Sequence, residues 1–132
     1  MAMNATTKTA VADNAAQNEM KRNSIAWEYK YQLLSFMTEY ETLEQYEQQK
    51  AALLLRAEYS TELLDILDPR RAVEMMEDFK AENERIKDRI TEQKRILTYK
   101  AKYLMRAVEF LKEIDIHVSS PALEIAKQYI NA

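Results

Sequence analysis

Residues 68–114 read DPRRAVEMMEDFKAENERIKDRITEQKRILTYKAKYLMRAVEFLKEI. Ala72, Met76, Phe79, Asn83, Ile86, Ile90, Gln93, Leu97, Lys100, Leu104, Ala107, Leu111 and Ile114 follow one another in strictly alternating steps of four and three. A mean step of about 3.5 residues holds a side chain on one side of an α-helix turn after turn, so this pattern predicts one long helix over residues 69–114. Near its end the stripe widens, with Ile96, Tyr103 and Phe110 on one flank and Val108 on the other. A wider apolar face requires more than one neighbour. The helix has a sharp start. Asp68 suits an N-cap, since its carboxylate accepts hydrogen bonds from the free N–H groups of the first turn, and Pro69 suits the next position, where its missing N–H costs nothing.

Upstream, a second long helix is expected over residues 19–67. Ala26, Tyr29, Leu33, Phe36, Tyr40 and Leu43 continue the same spacing, which then meets Glu47 and Lys50 and resumes at Leu54, Ala57 and Leu64. Tyr46, Leu53, Leu63 and Leu67 form a second row beside it, a drift that suggests a stutter or a bend near Gln48. Residues 1–18, rich in Ala, Thr and Asn without bulky apolar residues, read as a mobile tail, leaving 19–132 as a single helical domain. Downstream, Ser120-Pro121 repeats the cap logic of Asp68-Pro69 and predicts a short helix over residues 121–130. Too short to be stable alone, it should pack on the wide end of its predecessor.

Two long helices of similar length joined by almost no loop suit an antiparallel hairpin, each arm roughly 70 Å long at about 1.5 Å per residue. Charge supports that direction. Folding back at Asp68 sets Glu39, Glu41, Glu44 and Glu47 beside Lys94 and Arg95, although nearer the turn Glu58 and Glu62 meet Glu74, Glu77 and Asp78. Two chains with continuous helices would satisfy the same complementarity. The expected fold class is therefore all-α: a long antiparallel, coiled-coil-like hairpin, a short C-terminal helix and an N-terminal tail.

Composition removes several functions. The 132 residues contain no glycine and two prolines, so no phosphate loop, dinucleotide fingerprint or nucleophile elbow can be built. With no cysteine and one histidine, no zinc site of ordinary composition can be assembled. His117, with Glu113 and Asp115 nearby, reads as a cation at a helix C-terminus. The many carboxylate pairs, such as Glu41 with Glu44, read as solvated helix faces. No catalytic, cofactor-binding or metal-binding residue is expected. The net charge of −3 gives no general attraction to nucleic acid or an anionic membrane, and no apolar run is long enough to span one. The expectation is a cytoplasmic protein that is not an enzyme. The basic run from Arg85 to Arg106, with Tyr99 and Tyr103, leaves a nucleic-acid accessory role as a lesser alternative.

The suggestive residues are aromatic and sulfur-bearing: the chain has eight tyrosines and seven methionines. Trp27, Tyr31, Phe36, Met37 and Tyr40 on the first helix lie opposite Tyr99, Tyr103, Met105 and Phe110 on the second. They form either a core closed by the last helix or a face for a partner's amphipathic helix. Asn83, Gln93 and Lys100 interrupt the stripe, as polar residues that fix register do. The stretch AENERIKDRITEQKRIL (residues 81–97) resembles the second helix of flagellar and type III export chaperones, and QKAALL (residues 49–54) is similar to a pattern in their first helix. That resemblance implies a cytoplasmic chaperone that shields the terminal helices of secreted subunits. The leading expectation is a protein-binding helical adaptor or export chaperone, and the alternative is a self-assembling structural coiled-coil subunit, with a homo-oligomer possible in either case.

Overall fold

A computed structural model describes residues 5–64 and 66–131, with side chains from residue 16 onward. The chain is all-helical: α1 spans Ala5–Ser60, α2 spans Pro69–Glu113 and α3 spans Pro121–Ile130. The α1 and α2 helices pack on each other as an antiparallel hairpin. No described helix is long and apolar enough to cross a membrane.

The caps form as the sequence dictates. Asp68 Oδ1 accepts hydrogen bonds from the backbone N–H groups of Arg70 and Arg71, both at 3.1 Å. Ser120 Oγ accepts from Ala122 N–H at 3.3 Å, with Pro121 opening α3. At the far end of α2, Asp115 takes the left-handed conformation (φ 61°) that glycine fills in most proteins. Its N–H donates to the Lys112 carbonyl at 2.9 Å, and Ile116 N–H donates to the Leu111 carbonyl at 2.8 Å. In a chain without glycine, a short polar residue is the least strained substitute there.

Three sequence expectations are corrected. First, α1 begins at Ala5, not near residue 19; residues 1–4 of the expected tail lie outside the described residues. The alanines of residues 5–16 favour helix, and no proline or glycine interrupts them. Second, the drift near Gln48 is no break: α1 runs through it as one helix, and the inward row shifts register there by two successive steps of three, Tyr40 to Leu43 to Tyr46. Its inward row continues from buried Leu43 through half-buried Tyr46 and Lys50, buried Leu53 and half-buried Ala57, Ser60 and Leu64, while Leu54 is exposed. Lysine hides its methylene stem in such a seam and keeps its ammonium in water. Third, the connection is not near zero. The α1 helix stops at Ser60, and a 3₁₀ turn at Thr61–Leu63 leads toward Asp68. Thr61 Oγ1 donates to the Glu58 carbonyl at 2.6 Å, and Ile66 and Leu67 N–H donate to the Leu63 carbonyl at 3.0 Å.

The chain divides into two compact units. Unit 2, Met37–Tyr99, is a two-helix hairpin whose core is Leu43, Leu53, Ile86 and Leu97, with Gln93 buried among them. Gln93 Nε2 donates to the Glu39 carbonyl at 2.8 Å and to the Glu39 carboxylate at 2.6 Å. Arg56 reaches Glu82 at 3.9 Å, the one ion pair among the described residues that joins α1 to α2. Arg95 turns instead to Glu92 of its own helix, at 2.6 Å. This pair holds the Glu92 carboxyl below its ordinary value and raises the guanidinium. Charge thus agrees with the antiparallel direction, while the close pairs form mostly within helices.

Unit 1 comprises Met1–Phe36 and Lys100–Ala132. Here α3 adds a third wall. Ala101, Leu104, Ala107, Val108 and Leu111 of α2 are buried, as are Ala122, Leu123 and Ala126 of α3. Phe36 is fully buried, with its ring edge-on to Tyr129 at 6.2 Å between centroids.

Candidate functional site

Beside the turn, unit 2 exposes many large apolar residues. Leu54, Leu55, Tyr59, Leu63, Ile66, Val73 and Met76 are each 49–79% exposed. The cause is geometric. Two packed helices share a single seam, and consecutive apolar residues such as Leu53, Leu54 and Leu55 point in directions about 100° apart, so only one of the three can enter it. Leu53 does, at 1% exposure.

Val73 and Met76 belong to a groove of about 600 Å³ lined by Leu64, Ala72, Val73, Met76, Glu77, Phe79, Lys80 and Asn83. Leu64, Ala72 and Phe79 are half-buried, and Val73 and Met76 stand exposed. Ala72 carries only a methyl group, which leaves space that a larger seam residue would fill. The Asn83 side-chain oxygen is buried and accepts no hydrogen bond from the described protein. A buried acceptor left without a donor costs about 1–3 kcal/mol. A largely apolar groove with a few polar groups at its edge is the common form of a protein's recognition sites.

The electrostatics of the turn are one-sided. Residues 58–78 contain seven carboxylates and two arginines. The arginines are engaged locally, Arg70 with Glu74 and Arg71 with Asp68, each at 3.9 Å. Glu77, on the groove itself, makes no ion pair among the described residues.

The residues expected from the sequence to bind a partner differ in exposure. Phe36 is core. Trp27 and Tyr31 are exposed and share an outward row of α1 with Met20 and Leu34; Lys30 Nζ lies 5.1 Å from the Trp27 ring centre. Tyr99, Tyr103 and Phe110 form an exposed row of α2, with the Arg106 guanidinium 5.9 Å from the Tyr103 ring. Met37, Tyr40 and Met105 are half-buried. Burial, reinforced by Glu44, raises the Tyr40 hydroxyl pKa above its ordinary value. Aromatic residues do not point to the groove beside the turn, because its lining is mainly aliphatic. His117 is exposed, with Nε2 at 3.4 Å from Asp115, and no group of three or more His, Asp or Glu among the described residues is placed to hold a metal ion.

Comparison of this chain with protein-family models, with curated proteins and with solved structures finds no match.

Proposed function

We propose that the chain is a non-enzymatic protein-binding module whose groove beside the α1–α2 turn receives the apolar face of a partner's amphipathic helix. The observation that carries this reading is the groove itself, with exposed Val73 and Met76 on an apolar bed. Burying a Val or Met side chain is worth about 1.5–3 kcal/mol, so two or three anchors suffice for a specific contact. The partner helix would carry basic residues beside its apolar face to meet Glu77 and the acidic turn. A second copy docking turn to turn would oppose like charges, which disfavours that occupant. An export chaperone that shields the helices of secreted subunits, as the resemblance of residues 81–97 implies, is one form of such a module.

The test uses fluorescence anisotropy with two labelled helical peptides. Both carry Leu and Met at i, i+3/i+4 and i+7; one has Lys and Arg on its polar face, the other Glu. The basic peptide should bind, and Met76→Asp or Val73→Asp should weaken it tenfold or more, about 1.4 kcal/mol, without lowering the thermal midpoint. Equal binding of both peptides, or variants that bind like the parent, would sink the groove reading.

The exposed row Met20, Trp27, Tyr31 and Leu34 favours a second reading, a self-assembling structural subunit. Light scattering distinguishes the two: a stable oligomer abolished by Trp27→Asp would move the function from adaptor to assembly.

A further inference from the structure

Unit 2 has a second cleft, of about 470 Å³. At roughly 100° per residue, Val73, Glu77 and Lys80 fall on one flank of the α2 seam, and Glu82, Arg85 and Arg89 fall on the other. This cleft therefore opens on the opposite side of α2 from the groove. Its α1 wall is Gln49, Ala52 and Arg56, one row at spacings of three and four, and it contains no carboxylate. The methyl group of Ala52 leaves the opening that Gln49 and Arg56 flank. Ile86, 6% exposed, also lines it.

The charge lining this cleft runs against that of the chain. Three guanidiniums, Arg56, Arg85 and Arg89, line it with one carboxylate, Glu82, in a protein of net charge −3. Glu82 sits 3.9 Å from Arg56. Arg85 and Arg89 have no ion pair among the described residues, because neighbouring carboxylates face other partners: Glu84 pairs with Lys87 at 3.6 Å and Glu92 with Arg95 at 2.6 Å. Asp88, three residues beyond Arg85, lies outside the lining and forms no pair with it. Like charges held around one opening repel one another until an anion enters. The arginine fork offers paired N–H donors matched to an oxyanion, and the Gln49 amide adds a further donor.

We propose that this cleft binds a phosphate monoester carried by a partner polypeptide. A phosphoserine or phosphothreonine brings nearly two negative charges and three acceptor oxygens to three guanidiniums, whereas a single carboxylate brings one charge and two oxygens. Nucleic acid is a poorer occupant. Its affinity comes from many successive phosphate contacts, and here the basic groups are bounded by Glu82 and Glu84 on one side and by Glu44, Glu47 and Glu92 on the other. The site lies on a different face from the groove and is independent of it.

The experiment follows the arginine side-chain N–H resonances of the full chain by NMR. The chain is titrated with inorganic phosphate, with a short Ala/Gln peptide bearing one phosphoserine, with the same peptide bearing serine, and with polyuridylate RNA. Saturable shifts confined to Arg56, Arg85 and Arg89 are expected. The phosphopeptide should bind at least tenfold more tightly than its serine form. The double variant Arg85→Gln/Arg89→Gln should lose that preference while its thermal midpoint holds. Glu82→Gln, which removes the competing carboxylate, should tighten phosphopeptide binding severalfold. Uniform, non-saturating shifts of all arginines, equal binding of the two peptides, tighter binding of the RNA, or phosphate saturating the site as well as the phosphopeptide would each overturn the proposal.

Discussion

In the unit that contains α3, five of the eleven α2 residues from Ala101 to Leu111 are buried. Between Pro69 and Tyr99, where the same helix has α1 as its neighbour, Ile86, Gln93 and Leu97 are the buried residues. The difference does not lie in apolar content, since the turn region carries Leu54, Leu55, Leu63, Ile66, Val73 and Met76 and exposes all of them. It lies in the number of neighbours. A third helix of only ten residues encloses a core, while a two-helix seam excludes water from a single row. The apolar surface left outside that row stays exposed.

The contrast breaks most directly under truncation. Leu104→Ala, at a fully buried site, should cost about 2–5 kcal/mol, and Leu54→Ala, at a half-exposed one, within about 0.5 kcal/mol. Chemical denaturation of both variants decides it, and comparable losses would mean that the turn region is covered in the isolated chain. A smaller effect sharpens the account of the seam. Gln93→Leu removes two hydrogen bonds to Glu39 and should cost about 1 kcal/mol. If Gln93 sets register, distances between spin labels at positions 44 and 89 should also broaden in this variant; a sharp, unchanged distribution would assign register to the apolar residues alone.

The smallest effect is alkaline. Burial raises the Tyr29 and Tyr40 hydroxyls above their ordinary value of 10.0, and at Tyr40 the carboxylates of Glu44 and Glu47 add to it. The folded chain therefore holds these protons more tightly than the unfolded one. Their contribution to stability is whole below pH 10 and declines as pH rises past it. Tyr40→Phe should flatten that decline in a melting series from pH 9 to 11, and an unchanged slope would remove Tyr40 from the effect.

The fold was legible where chemistry and geometry coincide. The α2 stripe, the caps at Asp68 and Ser120 and the bounds of α3 follow from spacing and from residues with one dominant use. The α1 seam was not legible. Lys50 and Ser60 occupy inward positions there, and a pattern of apolarity cannot register a lysine stem or a serine packed in a seam. The antiparallel direction was read from charges that, as with Arg95 and Glu92, mostly pair within their own helix. It held because the charge distribution is coarse and tolerates that error. The candidate site was the least legible part. Whether Phe36 faces outward depends on where α3 lies, and no local signal in α1 records that.

Phe36 and Tyr129 meet edge to face although on the order of ninety residues separate them. At roughly 5–20 residues per second, a ribosome that has added Phe36 works for about 5–20 s more before the residue that covers it is made. The nascent α1 must carry its apolar row through that interval without α3. Timing of synthesis, as much as final stability, decides what this helix meets first.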